Sequence, residues 1–289
     1  IAEVKFGIKT GANEFFYLQP TGKTAPKGLV QVCNGADWEG LIETEFLKPV
    51  IISPRDVNKI AFHAKDLERL IFLYNGDIKK KSTYCQQYIK YGEKQKFHQR
   101  STLEARNPWW QIKEHRNSKV IWAMMHARRH NVHFNVDGCE VDHNFFEIIP
   151  KSHVSSENLA GQATSTLLIL IKELFGRTYG GGSGPIKNEG VDIIQFIFLN
   201  PETFLGDKKD KFIKCFNNMC TREIKDVFDE LGINGNQPIR EQKPNPLSDR
   251  KALDDIIFDI LGLTKDERNE VYWSVCELVQ NRLEKAKNI

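Results

Sequence analysis

The chain has 289 residues, 40% apolar and 27% charged, which suits one large or two ordinary globular domains and excludes disordered and fibrous classes. Its longest apolar run, residues 167–171, is far below the roughly 20 residues of a membrane span, and six scattered cysteines without a CxxC pair predict reduced thiols in a cytoplasm. The net charge of +3 hides a polarised chain: residues 55–133 hold seventeen Lys and Arg against seven Asp and Glu, and every other part is net acidic.

Val4–Ile8 and Phe15–Leu18 read as short strands joined by a tight turn, Lys9-Thr10-Gly11-Ala12-Asn13. Leu29–Val32 is a further strand, Ile42–Leu47 a helical turn before Pro49, and Leu70–Leu73 a buried strand before the turn Asn75-Gly76-Asp77. From Lys79 to Lys94 the pattern is helical, with Tyr84, Tyr88 and Tyr91 at i, i+4, i+7. Short strands follow between Trp109 and Ile149, where Val132/Phe134 and Val141/His143/Phe145 keep a two-residue period. Leu159–Phe175 carries one apolar stripe, a core-facing helix closed by Gly176. A glycine loop, residues 180–185, leads to a strand over Val191–Leu199. Beyond Pro201 the character is helical: Lys208–Asn217, Thr221–Leu231, Asp249–Leu261, and a last helix opened by the capping box Thr264-Lys265-Asp266-Glu267. The proline-bearing stretch 236–246 is a linker inside this tail.

Cations interleaved with Tyr84, Gln86, Gln87, Tyr88, Tyr91, Trp109, Trp110 and Gln111 make residues 55–133 a nucleic-acid footprint; a solvated face is the plainer reading of a charge run. Catalytic motifs are weak. Asn107-Pro108-Trp109-Trp110 approaches the Asn-Pro-Pro-aromatic loop of amino-methyltransferases, but Trp109 stands where the rigid second proline belongs. Residues 180–185 lack the Gly-Lys-Ser/Thr ending of a phosphate loop. His126, His130, His133, Cys139 and His143 have zinc-like spacing, yet Ala127 replaces the glutamate of the protease motif and Arg128 and Arg129 repel a dication. They read instead as histidines beside a DNA-facing surface. Glu241-Gln242-Lys243 has nuclease spacing but lies among prolines.

Several segments together resemble one family. Gly7-Ile8-Lys9-Thr10-Gly11-Ala12-Asn13-Glu14-Phe15-Phe16 is similar to the opening of the target-recognition region of adenine-N6 DNA methyltransferases, of the type found in type IIG and related restriction–modification systems. The strand Trp109-Trp110-Gln111-Ile112, the run Val132-His133-Phe134-Asn135 to Asp142–Pro150, the helix end Glu173–Arg177 and Leu199-Asn200-Pro201 follow in family order. The tail segments 246–254 and 261–264 resemble the carboxyl end of these enzymes. The resemblance implies a catalytic domain upstream, holding S-adenosylmethionine and the Asn-Pro-Pro-Tyr loop. Ile1 in place of Met agrees with a start inside a longer protein.

The predicted fold is α+β, with a strand-rich target-recognition domain over 1–201, a packed helix beneath it, and a helical part over 202–289. The predicted partners are duplex DNA and the upstream methyltransferase domain, with no membrane; catalytic residues, bound cofactor and metal are expected to be absent from this chain. Lys79, Lys80, Lys81, Lys94, Lys96 and Arg100 are the candidates for phosphate contact. Gln99, Arg106, Lys113, Arg116, Arg128, Arg129 and His130 are candidates for base or groove contact. The resemblance places the turn residues Lys9, Thr10 and Asn13 near the DNA cleft. The alternatives are a protein-interaction module, with the helical tail docking a nuclease or methylase subunit, and an RNA-binding domain, which lacks an RNP-like pattern.

Overall fold

Five strands form the central sheet, in the order Ala2–Phe6, Phe145–Pro150, Val120–Ala123, Val132–Asn135, Ala61–Phe62, antiparallel except for the last pair. The computed structural model describes residues 1–75, 83–113, 117–130, 132–178, 184–204 and 206–287. The middle strand Val120–Ala123 reads as an unbroken apolar run because both its faces are covered; Val120, Ile121, Trp122 and Ala123 are all buried. A second sheet runs Glu140–Val141, Leu47–Ile51, Leu70–Phe72, Tyr17–Pro20, Leu29–Asn34, Glu39–Glu43. Its core is aromatic: Phe15 stacks on Tyr88 with centroids 4.5 Å apart and meets Phe72 and Trp109 at 6.0 and 5.0 Å.

Helices Ser156–Thr164 and Thr166–Phe175 underlie the central sheet and pack against Asp207–Cys220, Ser248–Leu261 and Lys265–Lys287. The architecture is therefore α+β, as the sequence predicts. One hydrophobic core runs from Ile60 to Val279 and crosses residue 201 without a break, while a second gathers residues between Ile8 and Ile112. Burial thus groups the chain by which sheet a segment covers. All six cysteines are free thiols. Among the described residues no helix is long and apolar enough to cross a membrane.

Several elements differ from the sequence expectation. The stripe over 159–175 is two helices, because Ser165 is extended (ψ 156°) and its hydroxyl accepts from Leu168 N, starting the helix afresh. Residues expected as a strand from Val191 begin as the helical turn Gly190–Ile193, set by Glu189 N donating to Asp192 at 2.9 Å. Asn13–Phe16 is one helical turn feeding the strand Tyr17–Pro20, and the turn expected at 42–47 is a short 3-10 segment, Thr44–Phe46, between two strands. Residues 109–112 are irregular rather than a strand, since Trp109 turns into the aromatic core. The last capping box forms as predicted, Thr264 N to Glu267 at 2.7 Å.

Candidate nucleic-acid interface

The first strand ends where the chain must pass close to its neighbours. Gly7 N donates to Phe145 O at 3.0 Å and His143 N to Ile8 O at 3.0 Å, locking the segment onto the central sheet. A Cβ on Gly7 would stand 2.3 Å from Asp142 O, so only glycine allows this approach. The following turn is internally bonded. Thr10 is fully buried, its hydroxyl donates to the Asn13 side chain, and it accepts from Ala12 N. Thr10 therefore shapes the turn from within and presents no exposed group, a correction to its expected place at a DNA contact. Lys9 and Asn13 remain exposed on that turn.

Opposite the turn lies the run from helix Thr83–Lys94 to residue 113. Glu43 accepts from Tyr84 N and Cys85 N at 3.1 and 2.9 Å, placing a carboxylate at the helix N-terminus where the helix dipole favours it. Most of the aromatics pack inward: Tyr88 and Trp109 are buried and Tyr91 donates to Ala36 O, so these three serve the core, while Tyr84 and Trp110 stay half-buried. Lys94, Lys96 and Gln99 are exposed at the far end of this run. Thr102 hydroxyl donates to Gly11 O at 3.1 Å and Arg106 Nη2 to Lys9 O at 2.7 Å, fastening the run to the turn.

Between turn and run lies a groove of about 640 Å³, in which Lys9, Arg106 and Lys113 converge with Asn107 and Gln111. Among the described residues no acidic side chain lines it. The half-buried Arg106 is partly stripped of water, which lowers its pKa, and its Nη1 is enclosed with no acceptor among the described residues. Three sequence candidates thus meet in one place. Gln111, one of the amides of the basic stretch, and Asn107, which opens the motif Asn107-Pro108-Trp109-Trp110, line the same groove, and their amide chemistry suits base edges.

The remaining candidates scatter. Arg100 is ion-paired with Glu14 and lies over the Phe97 ring. Arg128 pairs with Asp226 over Phe228, on a second groove of about 760 Å³ that shares no residue with the first and also carries Lys225 and Gln280. Arg129 is exposed. His130 is corrected outright. It is 8% exposed, stacks on His126 at 5.3 Å, and lies 3.0 Å from Glu173. His126 and His133 are as deeply enclosed, so the histidines belong to the interior rather than to a DNA-facing surface. Burial depresses the pKa of all three, that of His133 to about 4. Lys79, Lys80, Lys81 and Arg116 lie outside the described residues.

Residues 1–197 match the family model described as type II methyltransferase M.Eco57I, C-terminal domain. No curated protein sequence matches the chain. Among solved structures, the type IIG restriction endonuclease BpuSI aligns over 97% of this chain with a TM-score of 0.54 at 12% identity, a likeness of fold. The chain spans 31% of that protein's length. On the family match, this chain belongs to the C-terminal domain family of type II methyltransferases represented by M.Eco57I.

Proposed function

We propose that this chain grips duplex DNA and selects the sequence in which a catalytic domain of the same protein, placed upstream by the family resemblance, methylates adenine at N6. The observation that carries the reading is the groove where Lys9, Arg106 and Lys113 converge with no acidic side chain among its described residues. Cations without competing carboxylates hold phosphates and set register, while amides and an arginine read base edges. The described residues of the groove offer no carboxylate for the ribose hydroxyls of S-adenosylmethionine, and the reading leaves the methyl donor to the catalytic domain. The proposed setting is the cytoplasm.

The test is equilibrium binding of the full-length protein to duplex DNA across a salt series. Affinity should fall linearly on a log–log scale with added salt. Binding that ignores salt would defeat the reading. A second reading, a face for docking another domain or subunit, is favoured by Ile194 and Ile197, apolar side chains 67% and 74% exposed beside the first strand.

A further inference from the structure

Resting on the DNA-binding reading above, we infer that the helix Thr83–Lys94 lies in the DNA major groove and that Gln87 reads an adenine there. Lys90 and Lys94 hold the flanking phosphates. Among the described side chains of this twelve-residue helix, only Cys85, Tyr88, Ile89 and Gly92 are buried. At 3.6 residues per turn these four fall within about 100° of arc, so more than half of the circumference stands clear of the sheet beneath. Gln87, Lys90 and Lys94 form the crest, within about 60° of one another, and all three are exposed. Glu93 lies off the crest and accepts from Trp109 Nε1 at 3.5 Å. Arg100 and Arg128 each meet a carboxylate, whereas Lys90 and Lys94 meet none among the described residues.

The crest is held against rolling. The Tyr88 hydroxyl donates to Phe15 O and the Tyr91 hydroxyl to Ala36 O, each at 2.5 Å, which pins the helix at two points. Gly92 lets it sit close, since a Cβ there would stand 2.6 Å from both Phe15 and Trp109. Glu43 takes up Tyr84 N and Cys85 N, so the helix meets DNA along its side and not with its amino end. A helix about 10–12 Å across enters a major groove about 12 Å wide. Long flexible lysines reach the groove walls as point charges, while the shorter amide faces the floor. Among the described residues no partner holds the Gln87 amide. A carboxamide sets an acceptor beside a donor, and adenine matches it with N6 and N7; guanine presents two acceptors instead. The major groove of duplex RNA is closed to side chains, which makes RNA the control ligand.

The experiment selects bound duplexes from a randomised library with the full-length protein, then measures affinity for the selected site and its single-base variants across a salt series. The unaltered protein should require adenine at one position, with roughly a tenfold to hundredfold penalty for other bases there, and duplex RNA should not compete. Gln87→Ala should erase that preference and leave the others intact. Gln87→Glu, which only accepts, should move it from adenine to cytosine, whose N4 donates. Lys90→Ala and Lys94→Ala should each weaken binding to every sequence and lower the salt slope by about one unit. All these side chains are exposed, and circular dichroism checks that each variant folds. A uniform loss or no loss with Gln87→Ala, an adenine requirement unchanged in Gln87→Glu, or lysine variants that bind like the parent would each overturn the assignment. Weakened binding with Lys9→Ala beside full binding by the helix variants would overturn it too, while leaving the DNA-binding reading intact. Failure of the unaltered protein to bind duplex DNA at all would instead defeat that broader reading.

Discussion

Arg282, in the last helix, grips both carboxylate oxygens of Glu173, at 3.1 and 2.8 Å. The pair is buried, and the same guanidinium donates to Ala127 O at 2.7 Å and to Gly184 O. Glu173 is also the partner of His130. One arginine near the carboxyl end therefore anchors the segment that carries Arg128 and Arg129, joining the last helix to the backbone at Ala127 and Gly184.

Removing one member of this cluster strands a charge in the interior. Glu173→Gln should cost about 3–5 kcal/mol, because Arg282 loses its counter-charge where water cannot replace it. Urea unfolding followed by circular dichroism measures this. The same variant should leave DNA sequence preference unchanged in the folded fraction, as should His130→Gln.

Acid should weaken the fold through the buried histidines. The folded state holds His133 neutral down to about pH 4, whereas the unfolded chain protonates near the ordinary value of 6.5. Between those values the unfolded state binds more protons, so stability falls as pH drops, by on the order of 1.4 kcal/mol per pH unit for each such group. His126 and His130 are shifted in the same direction. Glu147 opposes them: burial raises it to about 7, so it takes up a proton in the folded state first and gains stability on acidification from about 7 towards 4.5. Glu147→Gln keeps an acceptor for Ser118 N and removes this counterweight. The variant should be more stable than the parent at pH 8 and lose stability more steeply below pH 6.5, measured by thermal melts across pH.

Tyr17 clasps the two sheets. Its hydroxyl donates to the buried Asp142, which also accepts from Asn144 N at 2.8 Å. Tyr17→Phe leaves that carboxylate short of one donor and should cost about 1–3 kcal/mol. Since Asp142 borders Gly7 and Ile8 at the root of the groove, the variant should also weaken duplex binding at a temperature where it remains folded, measured by fluorescence anisotropy.

Lys9→Ala and Lys113→Ala should each weaken binding to all duplexes and reduce the salt slope by about one unit, the mark of a lost phosphate contact. Lys94→Ala and Lys96→Ala, at the far end of the same run, test how far the DNA track extends. A change in base preference with any of these lysines would contradict a phosphate role.

The sequence by itself determined the α+β class and the last helix with its capping box, because periodicity and capping are local: they depend on residues one to four apart. It also determined that positive charge gathers in residues 55–133, and through ordered segments the family. What it left open were breaks and partners. Ser165 ends one helix and starts the next within an unbroken apolar stripe, since the stripe records which face is buried and not whether the backbone turns. Only the tertiary structure decided which cations are free. Arg100 and Arg128 find carboxylates, Glu14 and Asp226, that are 86 and 98 residues away in sequence. His130 is buried beside Glu173, while Arg106, Lys9 and Lys113 come together with no acidic side chain among the described residues of their groove. Charge is a property of composition, but its availability is set by distance and burial, and those exist only once distant segments have packed.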